Sequence, residues 1–153
     1  MKAITLFIAC AVIFVAHAQA RQGETSKPNR AETKMMREVR AVLEAQVAAW
    51  NRGDIEGFMS GYAQSSDTVF VSGDTLTRGW ETVLNRYKKA YDSREKMGVL
   101  TFSELEIKSL AKNVAVVTGR WRLKRTADEP HGRFTLILRR TRAGWRIIHD
   151  HTS

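Results

Sequence analysis

Gly144-Trp145-Arg146-Ile147-Ile148-His149-Asp150-His151-Thr152-Ser153, at the carboxyl end of a 153-residue chain, decides the fold. Branched and aromatic residues behind an Arg142-Ala143-Gly144 turn read as a strand. Strand side chains alternate between faces, which places Trp145, Ile147, His149 and His151 on one side. Arg146, Ile148, Asp150 and Thr152 are then expected on the other, with Asp150 pointing away from the imidazoles. Chain ends are usually polar and frayed, whereas this ending implies a strand held within a sheet. Two imidazoles about 7 Å apart would then face one space.

The period of two extends upstream. Leu100 and Phe102 alternate, as do Leu105 and Ile107, and the slip between the pairs implies a bulge. Ala111-Lys112-Asn113 turns into a long strand from Val114 to Lys124; Ala127 to Gly132 is a Pro-containing loop; Arg133 to Arg140 is the next strand. Before Val99 the period is helical. Asn29 with Glu32 forms a capping box, and Met35, Val39, Val42, Leu43, Val47 and Trp50 make one buried stripe. Arg52-Gly53 closes that helix, and Asp54 caps a shorter one holding Ile55, Phe58, Met59 and Tyr62. Thr68 to Ser72 is a strand turned by Gly73-Asp74, and a third helix from Gly79 carries Trp80, Leu84, Tyr87 and Tyr91. Helices first and an antiparallel meander last give the α+β class, with helices on one face of a curved sheet.

Met1-Lys2, an apolar run from Ala3 to Val15 and Ala18-Gln19-Ala20 read as a secretory signal over residues 1–20. Residues 21–30 read as a flexible leader, and residues 31–153 as one domain. The protein is thus expected to be exported, periplasmic or secreted, and free of the membrane after cleavage. Cleavage would remove Cys10, the only cysteine, leaving stability to the core alone. It would also remove Lys2, taking the formal net charge from +9 to +8. A basic surface attracts anionic polymers of the cell envelope. No basic patch interleaved with aromatics appears, so nucleic acid is not an expected partner.

Trp50-Asn51-Arg52-Gly53-Asp54, Arg78-Gly79-Trp80, Gly119-Arg120-Trp121 and the closing Trp145 to Ser153 resemble the SnoaL-like, ketosteroid-isomerase-like branch of the nuclear-transport-factor-2-like superfamily, over about residues 31 to 153. His-x-His-x-Ser at the end also resembles the association domain of calcium/calmodulin-dependent kinase II. The resemblance implies a cone-shaped α+β fold with three amino-terminal helices on a curved, mainly antiparallel sheet, a pocket between the layers, and a homodimer. Ketosteroid isomerase works with an Asp base and Tyr and protonated Asp donors. That trio has no motif counterpart: Tyr62 lies on a suitable helix, Asp54 reads as a cap, and no isolated Asp appears mid-strand in an apolar stretch.

His149 and His151 are the candidate proton carriers, with Tyr62 as an oxyanion donor. Trp50, Trp80, Tyr87 and Trp121 are expected to line a small-molecule pocket, and Arg120, Arg122 and Arg133 to grip an acidic or carbonyl ligand. The bland alternatives are paired structural histidines and solvated arginines. His131 beside the pair makes a poor metal set, so no metal is expected. Nucleophile elbow, P-loop and dinucleotide fingerprint are absent, and no cofactor is expected. Any reaction would be acid–base chemistry of the isomerase or lyase type; the alternative is a non-catalytic homo-oligomeric association module.

Overall fold

The computed structural model describes residues 29–153. The expected signal segment and all but the last two residues of the expected leader lie outside them. The elements are α1 (Arg30–Asn51), α2 (Ile55–Met59), β1 (Val69–Ser72), β2 (Thr75–Arg78), α3 (Trp80–Ala90), α4 (Arg94–Met97), β3 (Val99–Ala111), β4 (Val114–Lys124), β5 (His131–Thr141) and β6 (Gly144–Thr152). The six strands form one sheet in the order β2-β1-β6-β5-β4-β3. All pairings are antiparallel except β1 with β6. Sequence reading finds most of these elements; β2 and α4, four residues each, are too short to carry a period.

Local chemistry starts and stops the helices where expected. The Asn29 side chain accepts from the Glu32 amide at 3.0 Å. Asp54 accepts from the Gly57 amide at 2.6 Å and opens α2. Between them Gly53 takes a φ of +88°, which a residue with a Cβ rarely adopts. Arg94 ties off the carbonyls that end α1: its guanidinium donates to Trp50 O at 3.0 Å, which also accepts from the Gly53 amide at 2.8 Å, and to Asn51 O at 2.9 Å. Asn51 then docks the helix on the sheet: it donates to Leu100 O at 3.0 Å and accepts from the Leu100 amide at 2.7 Å.

The helices cover one face of the sheet. Val39, Leu43 and Met59 meet Ala115, Val117, Leu138 and Ile147 in one core, all nearly inaccessible to solvent. Three register shifts interrupt the described sheet, one of them near the end of β3 between Ser109 and Ala111, and the other two shape the site. The first, between Ser103 and Glu106 of β3, is the slip legible in the sequence, and Glu104 there has a φ of +51°. The second, in β6, breaks the expected alternation. Leu138 pairs with Ile147 and Ile137 with His149, leaving Ile148 as an extra residue. One inserted residue exchanges the faces of everything after it. Trp145 and Ile147 face the helices, and beyond the bulge Asp150 and Thr152 take that side instead of His149 and His151.

Core packing predicts its own test. Leu138→Ala should lower the unfolding free energy by about 2–5 kcal/mol, the usual cost of a buried Leu-to-Ala cavity. Leu76→Ala, on an exposed side chain, should shift it by less than about 0.5 kcal/mol. Urea unfolding of both variants checks the contrast, and equal effects would contradict this assignment of the core.

Candidate functional site

A cavity of about 150 Å³ lies between the helical layer and the sheet. Its wall is aromatic: Trp50 from α1, Phe58 from α2, Phe70 from β1, Tyr87 from α3, with Trp121 and Phe134 from the sheet. These rings meet mainly edge to face, Trp50 with Phe58 at 5.1 Å and with Tyr91 at 4.7 Å between centroids. Gln46, Tyr62 and Asp150 form the buried polar part of the lining. Ser72, Tyr91, Phe102, Trp121 and Thr152 line it from partly exposed positions and so mark its mouth.

The polar centre is Asp150, 4% exposed. Tyr62 donates its hydroxyl to Oδ2 at 2.6 Å, and Thr152 donates to Oδ1 at 2.7 Å. Tyr62 reaches this place because residues 61–63 run alongside β6: Ile147 donates its amide to Gly61 O at 2.9 Å, and the Ala63 amide donates to Ile147 O at 2.8 Å. The bulge follows immediately and turns Asp150 toward the phenol. Burial pushes the Asp150 carboxyl up to about 6, against the pull of Tyr62, Thr152 and the His151 charge. Burial raises the Tyr62 and Tyr87 hydroxyls well above their ordinary value, and the Asp150 charge adds to this. Both phenols therefore stay protonated donors at neutral pH.

Four of the residues singled out in the sequence come together here. Tyr62, Trp50, Tyr87 and Trp121 all line the cavity. His149 and His151 do not. They pair across the sheet with Ile137 and Thr135, on the face away from the cavity, and His151 is exposed. Their neighbour Asp150 is the missed residue, an acid mid-strand on the cavity side; the doubled Ile147-Ile148 was the available sign of a bulge. Trp80 also lies elsewhere, donating its Nε1 to Met59 O at 2.9 Å beside Gln64 and Arg78. Arg120, Arg122 and Arg133 do align, but on the uncovered face. There Arg120 and Arg133 share Glu104, at 3.6 and 3.0 Å, and Arg122 meets Glu129 at 3.1 Å. Among the described residues no guanidinium lines the cavity, and Asp150 is the one charged side chain that does. His131 is exposed, its Nδ1 2.9 Å from Glu129 O. Among the described residues, no three His, Cys, Asp or Glu side chains converge as a metal set.

The family model for the SnoaL-like domain matches residues 39–153. The chain belongs to the SnoaL-like family. A nuclear-transport-factor-2-like protein of unknown function from Shewanella oneidensis is 39% identical, with a TM-score of 0.74 over 77% of this chain and 98% of that one. A second such protein, from Pseudomonas putida, shares the fold at 22% identity, with a TM-score of 0.64 over 79% of this chain and 87% of its own. A candidate calcium/calmodulin-dependent protein kinase II association domain from Xanthomonas campestris shares it at 19% identity and a TM-score of 0.61, over 76% and 85%. No functionally curated protein matches significantly. The α+β cone expected of this SnoaL-like domain is the fold observed.

The raised Asp150 carboxyl has a consequence for stability. Its folded value, about 6, exceeds the ordinary 3.8, so the folded state holds this proton more tightly than the unfolded chain. Stability from this group is full below about pH 4 and is lost as pH rises through 6. The loss amounts to roughly 3 kcal/mol, at 1.36 kcal/mol per pH unit. Asp150→Asn should remove that fall, so the variant gains on the wild type between pH 4 and 7. Urea unfolding across this range checks it, and parallel pH profiles would refute it.

Proposed function

We propose that this SnoaL-like protein binds a small, uncharged organic molecule in the aromatic cavity and moves a proton on it, with Asp150 as the base. The observation that carries this reading is a buried carboxylate, held by Tyr62 and Thr152, on the wall of an apolar cavity. A carboxyl near 6 is ionised at neutral pH yet basic enough to accept a proton, which an ordinary surface Asp is not. An apolar cavity of roughly 150 Å³ accommodates a benzene-sized molecule. An acidic ligand is disfavoured, since it would bring a second anion beside Asp150 with no cation in the wall among the described residues.

The chemistry follows from the donors. Asp150 takes a proton from the carbon next to a carbonyl, and the electron pair moves onto the carbonyl oxygen. The Tyr62 proton is committed to Asp150, so the neighbouring Tyr87 hydroxyl donates to the enolate oxygen. Returning the proton to either carbon gives exchange or isomerisation without a cofactor. This resembles the chemistry of ketosteroid isomerase, which also uses an Asp base; here Asp150, and not His149 or His151, takes that role. 4-Hydroxycyclohexanone is a suitable probe: α-deuterium exchange, followed by NMR, should be catalysed, with a rate that rises with pH through about 6. Asp150→Asn should slow it by about a hundredfold or more, and His149→Gln and His151→Gln should leave it within about twofold. Unchanged exchange in Asp150→Asn would overturn the reading.

A second role rests on the uncovered face. Val116, Ile137 and His149 lie in one row across β4, β5 and β6, and Thr118, Thr135 and His151 in the next, a mixed apolar and polar strip with no helix over it. We propose that two copies pair through this strip, an association role like that for which the Xanthomonas domain is named. Such pairing is compatible with catalysis. Export after removal of residues 1–20 remains our proposal from their sequence. Light scattering at micromolar concentration should give twice the monomer mass, and Ile137→Arg should halve it. A monomeric wild type would contradict the association.

A further inference from the structure

The cavity holds a second polar group that the proton-transfer reading does not use. Gln46 lies mid-way along the buried stripe of α1, where the neighbours Leu43 and Trp50 are apolar. It is 2% exposed and lines the cavity. Its Nε2 donates to Phe58 O at 3.1 Å. A carbonyl accepts only from a donor, so this bond settles which end of the amide is nitrogen. The opposite end, Oε1, receives no donor from any described residue, although an unsatisfied buried acceptor is costly. Yet it is not sealed in the protein interior, for the sole buried side-chain polar atom without a partner among the described residues is Arg125 Nε. Oε1 therefore opens on the cavity.

The surroundings hold the amide in this place. A Cβ at Gly61 would stand 2.7 Å from Gln46 Cδ and 2.8 Å from Cγ and Nε2, so a side chain at residue 61 would force the Gln46 amide out of this position. Gly61 has an ordinary φ, which leaves this close approach as the reason for glycine. The same residue accepts from the Ile147 amide and so fixes the segment that carries Tyr62. The amide and the Tyr62–Asp150 pair are thus set by one stretch of backbone.

Gln46 Oε1 lacks a donor that only a cavity occupant can supply. Asp150, when ionised, likewise accepts and does not donate. Resting on the reading of the cavity as a ligand site, we propose that Gln46 is its specificity determinant, selecting an uncharged, single-ring molecule that carries a hydroxyl or N–H donor. The ring lies among Trp50, Phe58, Phe70 and Tyr87, and the donor reaches Oε1. A ligand of the same shape without a donor leaves that oxygen desolvated and unpaired. A site built to hydrogen-bond a hydroxyl discriminates against the analogue lacking it for this reason.

Phenol, toluene, anisole and benzoate, titrated by NMR and calorimetry against the full domain, test this without reference to catalysis. Phenol is expected to bind at least about tenfold more tightly than toluene and anisole, with benzoate weakest. Phenol should also shift the Gln46 side-chain amide resonances in the wild type, while toluene should not. In Gln46→Met, which keeps the side chain's length and loses the acceptor, the preference for phenol over toluene should fall to about twofold or less. Should toluene match phenol in the wild type, or the preference persist in a folded Gln46→Met, the role of Gln46 is refuted while the ligand cavity stands. The resonance shifts decide the matter if that variant does not fold. Binding of none of the four would refute the cavity as a ligand site together with the inference.

Discussion

A carboxylate removed from water is unfavourable unless donors replace the lost hydration, and the interior of this protein is arranged around that constraint at Asp150. Tyr62 and Thr152 each give a hydroxyl to a different carboxylate oxygen. Neither comes from a distant element brought in by chance. Thr152 is two residues on along β6, and Tyr62 belongs to the segment that pairs with β6 just before the bulge. The carboxylate, its donors and the backbone irregularity that aims it form one local unit. That unit closes the polar end of a cavity whose remaining wall is aromatic.

The rest of the fold holds this unit against a helical roof. Asn51 bonds both backbone groups of Leu100, and the Trp50 indole donates to Met97 O at 3.0 Å, so the end of α1 is tied to the start of β3. Further back along α1, Glu38 accepts from the Trp145 indole at 3.1 Å and from Arg140 at 2.9 Å. Both ties involve residues that look like motif signatures in the sequence, and their work is structural. The tryptophans anchor layers by their N–H groups while their rings pack. A helix tied at Glu38 and again at its carboxyl end keeps Gln46 and Trp50, on its buried stripe, in fixed relation to the sheet.

The architecture was legible because it rests on local rules. Asn29 and Asp54 cap helices as their side chains demand, and Leu100-Phe102 against Leu105-Ile107 shows the phase change of the first bulge in the residues themselves. The site was legible only in part. Tyr62, Trp50, Tyr87 and Trp121 are large residues on buried stripes, and burial alone carries them to the cavity. Asp150 was assigned to the wrong face because a period of two was extended through Ile147-Ile148, where either isoleucine can point inward. The doubled isoleucine marks where a bulge can fall without deciding that one forms; pairing with residues 61–63 on one side and β1 beyond decides it. The aligned arginines were foreseen as a cluster, but which face the helices cover is a tertiary fact, and Glu104 and Glu129 hold them outside. Gln46 escaped notice because an amide in an apolar stripe stands out only once its partner at Phe58 is known.

The central claim is that the bulge turns Asp150, and not the flanking imidazoles, into the cavity beside Tyr62. A titration of the side-chain carboxyl carbon of Asp150 by NMR tests it most directly, with the Tyr62 ring resonances followed in the same samples. The account predicts a midpoint near 6 for the carboxyl, with the Tyr62 resonances moving at that same midpoint. A midpoint at or below about 4, as for an exposed aspartate, with Tyr62 unresponsive, would contradict it.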